Sequence, residues 1–286
     1  MKTLFLECNM GAAGDMLMAA LLELLADKEA FLKKLNNIGL EGVKVKAEPS
    51  QKCGIMGTHI SVLVGTAEAE ETSIDVDITN HEHDDHHHDH DHSHHHHDHD
   101  QDHHHDHHHN LTGMKDIEMI LSKLNISDKV KKDALGVYNL IADAESRAHG
   151  RSVDEVHFHE VGNLDAVADI VGVSLLMEEL APDWVTASPV HVGSGFVRCS
   201  HGVLPVPAPA TAYILLDIPS YGGKIRGELC TPTGAALLKH FVKEFGPMPL
   251  MKTKQIGYGM GKKDFEAANC VRAFLGESDG DSHGSK

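Results

Sequence analysis

Long apolar runs are missing from this 286-residue sequence. No stretch approaches the roughly 18 consecutive apolar residues that a membrane-crossing helix needs. The start, MKTLFLECN, carries an acid at its seventh position and no small-residue cleavage site, which argues against a secretory signal. Basic residues are short: 25 Lys and Arg stand against 43 Asp and Glu, for a net charge of −18. A nucleic-acid partner is therefore not expected, because the phosphate backbone demands Lys and Arg. The five cysteines, Cys8, Cys53, Cys199, Cys230 and Cys270, are odd in number, scattered and never in a CxxC pair. That usage predicts free thiols in a reducing, cytoplasmic compartment and no structural zinc knuckle. Neither HExxH nor a nucleophile elbow is present, so a metal-dependent hydrolase has no motif behind it.

What is abundant is histidine. The stretch from His81 to His109 holds 18 of the chain's 26 His together with nine Asp or Glu, and it accounts for half of the net charge. With almost no apolar residue it cannot offset its own ordering entropy, so residues 67–110 are expected to be a disordered insertion.

The remainder reads as α/β, with α+β as the alternative. Thr3 to Cys8 predicts a buried strand, followed by a Gly-rich turn and one long helix over Met16 to Leu35. Val43–Ala47 and His59–Val64 predict strands, and Met114–Leu124 and Asp128–His149 predict helices. Val153 to Glu160 alternates like a strand, and a helix follows from an Asn163 N-cap to Leu180. Val185–Val192 predicts a strand. Pro209, and Thr231 with Pro232, fit the first positions of helices ending at Leu216 and Phe245. Two strands close the fold over 255–275. The expected organisation is residues 1–66 packed with 111–150 as one unit, 151–276 as a second, the two forming either separate domains or a single one, and 277–286 as a frayed tail.

Five constellations carry chemistry. Imidazoles bind borderline divalent ions and Asp adds charge at small size. The tract residues His86, His87, His88, His94, His95, His96, His97, His103, His104, His105, His107, His108 and His109 thus offer many overlapping sites for Ni²⁺, Cu²⁺ or Zn²⁺. In the second, an extended 157–160 would put His157 and His159 on one face. A helix from 163 would put Asp165 and Asp169 on one face. These four could share a divalent ion, although an acid at Asp165 is also what a helix N-terminus favours by itself. The third is the loop Gly11, Ala12, Ala13, Gly14 and Asp15 at a helix start, where unpaired amides suit a phosphate. It is neither a Walker A loop nor GxGxxG, and a plain tight turn is the competing reading. The fourth is His191 and His201 beside the turns Gly193-Ser194-Gly195 and Gly202. The fifth is Cys230-Thr231-Pro232-Thr233-Gly234, a capped helix start where Thr231 and Thr233 could hold an anion. Cys230 reads equally as a soft ligand or an inert buried thiol.

Several segments taken in order resemble one family. They are Asn9-Met10-Gly11-Ala12-Ala13-Gly14-Asp15-Met16, His157-Phe158-His159-Glu160-Val161-Gly162 with Asp165 and Asp169, and the run from Ser200 to Thr211. Glu228 to Gly234 and Gly257-Tyr258-Gly259-Met260-Gly261 complete the set. The chain is similar over residues 3 to about 275 to the LarC nickel insertion family of nickel-pincer nucleotide cofactor biosynthesis. The resemblance implies a lyase-class nickel insertase that places Ni²⁺ in pyridinium-3,5-bisthiocarboxylic acid mononucleotide, toward the cofactor of lactate racemase. It also implies CTP with Mg²⁺ or Mn²⁺, bound by a C-terminal domain that this chain is expected to lack and to obtain from a second polypeptide or an extended product.

Within that reading, the tract would collect nickel and His157, His159, Asp165 and Asp169 would hold it. Glu160 or His201 would take the ring proton as the carbon–nickel bond forms, and the loop at 11–15 would hold the substrate phosphate. The alternative is a nickel store or metallochaperone without turnover.

The tract generates a direct test. An unperturbed imidazole titrates near pH 6.5, so acidification turns an anionic ligand array cationic. Equilibrium dialysis with metal analysis should show most bound Ni²⁺ lost on deletion of residues 81–109. It should also show release from the intact chain between about pH 7 and pH 5.

Overall fold

The computed structural model describes residues 1–65, 67–68, 74–76, 113–155, 158, 163–199 and 201–279. Strand β1 (Lys2–Glu7) leads through the Gly-rich turn into α1 (Gly14–Leu22), then α2 (Lys28–Leu35). The hairpin of β2 (Val43–Lys52) and β3 (Ile55–Val64) follows, with short strands β4 (Ala67–Glu68) and β5 (Ile74–Val76). Helices α3 (Met114–Lys123) and α4 (Asp128–His149), a 3-10 turn at Val153–Glu155 and α5 (Leu164–Leu180) come next. Six short strands then alternate with turns and one helix: β6 (Trp184–Ala187), β7 (Val190–His191), β8 (Gly193–Ser194), β9 (Phe196–Cys199), β10 (Gly202–Pro205), α6 (Pro209–Ile214) and β11 (Ser220–Tyr221). The chain ends with β12 (Gly227–Glu228), α7 (Pro232–Phe241), β13 (Glu244–Phe245), β14 (Met251–Met260) and β15 (Cys270–Ser278).

The fold is α/β. Its main sheet runs β13-β6-β1-β15-β14-β3-β2, with β4 also on β3. The pairing is mixed: β1 is parallel to β6 and antiparallel to β15. The first strand therefore lies between two strands from the second half of the chain. The sheet crosses the boundary expected at 150–151 without a break.

Helix α1 is buried along almost its whole length and packs on the sheet. It can lie close because β14 presents glycine on the facing positions. A Cβ at Gly259 would collide with the Met16 carbonyl oxygen, and one at Gly257 with that of Ala20. Behind α1 pack α5 and α7, and α4 crosses α5, α6 and α7. Tyr138, Ile141, Ile170, Leu176 and Leu238 fill the space between these helices.

Several elements differ from expectation for identifiable reasons. The helix expected over 16–35 is two helices, because the Asp27 side chain accepts from the Ala30 amide and caps a new one. The strands around Gly54 and Gly57 are longer than expected and form a hairpin. Cys53 and Gly54 both take positive φ (48° and 80°), as a tight two-residue connection requires. The expected strand at 153–160 opens instead as a 3-10 turn. Ser188-Pro189 divides the expected strand 185–192 into β6 and β7. Glu277 and Ser278 belong to β15 rather than to a tail, and Ser278 Oγ lies 2.7 Å from Thr3 Oγ1 in a buried contact. β4 and β5 fall inside the stretch expected to be disordered. The rest of that stretch lies outside the described residues.

The fit of α1 against β14 can be tested. Gly259→Ala should lower stability by about 3 kcal/mol, the upper end of overpacking costs. Gly246→Ala meets no atom within 4 Å and should stay within about 0.5 kcal/mol. Urea denaturation midpoints measure both.

Candidate functional site

Two helix starts meet at the first part of the site. Asp165 occupies the first turn of α5, with Asp169 one turn further in, and Gly14 opens α1 opposite them. The approach is tight: a Cβ on Gly14 would lie 2.5 Å from Asp169 Oδ2. The Asp15 backbone N–H donates to the Asp169 carboxylate, and the Asp15 side chain accepts from the Met16 amide at 2.8 Å. Three carboxylates, Asp15, Asp165 and Asp169, thus gather where the positive ends of two helices converge, the placement that best tolerates negative charge.

That tolerance is incomplete. Asp169 Oδ1 is buried and has no hydrogen-bond partner. Burial, and then the charges of Asp15 and Asp165, hold the Asp169 carboxyl well above the usual carboxylate range. Burial also raises Asp165, against the pull of nearby backbone amides. Tyr138 of α4 stands beside them, fully buried, with an unpartnered hydroxyl and its ring 6.0 Å from that of Phe158. Burial and the two α5 carboxylates push its phenol well up.

The second part is a cavity of about 290 Å³. The last turn of α4 supplies Glu145, Ala148 and His149. β9 and β10 supply Val197, Cys199 and Leu204, with His201 from the turn between them. Glu228 of β12 and the starts of α6 and α7 close it. The His149 and His201 rings lie 4.8 Å apart, tilted by 43°. His149 Nε2 is 3.4 Å from Glu145 Oε2.

The two expected anion sites prove to be neighbours. Ala12 bridges to Cys230, and the Thr231 amide donates to the Ala12 carbonyl. Their amides are largely engaged within the fold. Gly11 N donates to Cys8 O, Ala12 N to Leu229 O, and the Asp15 and Met16 amides go to carboxylates. Among the described residues, the amides of Ala13 and Gly14 are the ones at this loop left for a ligand. Thr231 accepts from Gly234 N as a helix cap, and Thr233 is buried within α7. Cys230 is fully buried and burial holds its thiol well up, which answers to the inert reading. Cys8, also buried, is pushed up to about 12. His191 is buried between the carbonyls of Asn9 (2.8 Å) and Gly222 (2.9 Å) and stacks on Tyr221, so it clamps loops rather than facing a ligand.

His157, His159, Glu160 and every expected tract ligand lie outside the described residues. Among the described residues, no group of three or more His, Cys, Asp or Glu is arranged to hold a metal ion, and no helix is long and apolar enough to cross a membrane. The sequence reading missed Asp15 as a third carboxylate, Tyr138, and the pairing of His149 with His201. An acid inside a supposed phosphate loop was the available signal for the first. The other two depend on tertiary contacts.

The acid cluster makes a prediction about stability. A carboxyl whose folded pKa is raised favours the folded state fully below its unfolded pKa, near 4, and loses that contribution as pH rises through the folded value. Asp169→Asn mimics the neutral form. At pH 7 without divalent ions it should stabilise the chain by about 1–3 kcal/mol. It should also flatten the decline of stability above about pH 4. Urea titrations across that range measure it.

The family model described as nickel insertion protein matches residues 4–285. A protein of Clostridium acetobutylicum is 43% identical over 286 residues, covering 98% of this chain and 65% of its own length. One of Clostridium kluyveri is 41% identical over 280 residues, covering 98% and 63%. One of Staphylococcus saprophyticus is 33% identical over 271 residues, covering 95% and 59%. All three are named pyridinium-3,5-bisthiocarboxylic acid mononucleotide nickel insertion protein. The chain spans about three fifths of the length of these relatives. No solved structure matches it.

Proposed function

The chain belongs to the nickel insertion protein family, and from that premise we propose that it gathers Ni²⁺ and takes part in its insertion into pyridinium-3,5-bisthiocarboxylic acid mononucleotide. The observation that carries this reading is the family match along nearly the whole chain. Nickel is a substrate here. The product is the nickel-pincer cofactor that serves lactate racemase and its relatives, and the enzyme class is a lyase acting in the cytoplasm. CTP with Mg²⁺ or Mn²⁺ is the expected co-substrate. We assign it to a C-terminal domain, supplied in the same product or by a second polypeptide; the relatives are longer than the span this chain covers.

The roles follow from chemistry. The His/Asp tract concentrates the ion. Asp165 and Asp169, with His157 and His159, are the proposed ordered ligands. The unpartnered Asp169 Oδ1 supports this, because a buried carboxylate oxygen without a donor is completed by a cation. Asp15 adds a third charge to the same place, and its retention in a costly environment fits a functional site. Glu160 is the proposed base for the ring proton, with His201 as the other candidate. The substrate phosphate is assigned to the Gly11–Asp15 loop together with Thr231 and Thr233, chiefly through the amides of Ala13 and Gly14.

The second reading, a nickel store or metallochaperone without turnover, is favoured by the same tract. Purified chain incubated with Ni²⁺, substrate and CTP, with and without the C-terminal domain, separates the two. The insertase reading expects product. It expects a fall of about 10²-fold or more in His157→Ala and Asp165→Ala, and rescue of a tract deletion by excess nickel. Product formation at the parental level in both point variants would overturn the assigned ligands. No product under any condition would favour the store.

A further inference from the structure

The acid cluster offers only oxygen donors among the described residues, whereas nickel prefers imidazole. The structure holds two imidazoles together elsewhere. His149 closes α4, and Gly150 caps that helix in the left-handed conformation (φ 62°). This leaves the imidazole at the negative end of the helix dipole. His201 comes from the turn between β9 and β10, 52 residues later. The two rings share one cavity, with Glu145 and Glu228 on its wall and neither Lys nor Arg among the described residues that line it. Both the helix end and the carboxylates draw a cation there.

The ring spacing can be compared with metal geometry. A metal–imidazole bond of about 2.1 Å puts each ring centroid about 3.2 Å from the ion. Two such ligands at a right angle then have centroids about 4.5 Å apart, and at a tetrahedral angle about 5.2 Å apart. The observed 4.8 Å falls between these values. We propose that this cavity is a docking site for a divalent transition ion, with His149 and His201 as adjacent ligands, which leaves the ring proton to Glu160, and with Glu145 and Glu228 supplying the surrounding negative charge. The cavity floor of Val197, Leu204, Ala208, Pro209, Ala210 and Pro232 is apolar and suits a flat ring beside the ion. The chain leading to the tract leaves from the same place: β5 pairs with β9, and Asp75 accepts from the Glu228 amide at 2.9 Å. That the natural ion is nickel rests on the function proposed above. The pairing of the two imidazoles does not.

The test uses the full chain with alanine methyl groups labelled for NMR and Co²⁺ as a paramagnetic probe with the same liking for imidazole. Titration past saturation of the tract should shift or broaden the Ala148, Ala208 and Ala210 methyl signals. The His149→Gln/His201→Gln double variant should abolish that effect. Both positions are at the surface, and each single Gln variant should weaken pocket binding by at least about tenfold. Unperturbed methyl signals in the parent, or equal perturbation in the double variant, would overturn the site. A pocket signal without product formation counts against the insertion reading alone. Product formation without a pocket signal counts against this site alone.

Discussion

The molecule depends on how closely other elements approach α1. Its first residue, Gly14, lies against the Asp169 carboxylate of α5, and its buried flank lies against the bare glycine positions of β14. The loop just before it is hydrogen-bonded to the segment that opens α7. Any side chain at these points would push α1 away from three neighbours at once. The same contacts that seat the helix on the sheet also bring Asp15 to Asp165 and Asp169. Packing and site geometry are therefore not independent here: the site is where the tightest part of the core reaches its end.

This arrangement works against stability. Three acids at one spot, one of them with a buried and idle oxygen, cost free energy unless something positive joins them. The adjoining Tyr138 hydroxyl, buried without a partner, adds to that cost. A core selected only for stability would hold apolar residues in these places. The cavity at the far end of α4 differs in kind. Its imidazoles are near the surface and its floor is apolar, so it can receive a ligand without burying an unpaired charge beforehand. One chain thus presents a hard-oxygen cluster and a nitrogen pair at two ends of the same helix layer.

Much of the fold was legible in the sequence, and the parts that were not share a cause. The helices at 114–124, 128–149 and 163–180 announced themselves through their apolar residues, although the expected Asn163 cap makes no side-chain hydrogen bond, and Thr231-Pro232 marked the start of α7. Helix ends governed by one polar side chain, such as Asp27, were read through. The Gly-x-Gly pattern at 257–261 was visible, but its meaning, a strand made smooth for a helix, needs the partner element to be known. For the site, the spacing of Asp165 and Asp169 placed them on one helical turn, and the structure keeps them together. Asp15 and His149 could not be found this way. Each meets a partner 150 or 52 positions along the chain, and no local period records such a meeting.

The position of β1 carries a consequence for how the protein comes into being. Its two neighbours in the sheet, β6 and β15, begin at residues 184 and 270. As the polypeptide emerges from the ribosome, the apolar first strand has no lasting partner until β6 has been made, and its second edge stays open until β15 follows. Sheet closure is a late event, sealed where Thr3 meets Ser278. Until then, an edge of the first strand is open to chaperones that bind the nascent chain.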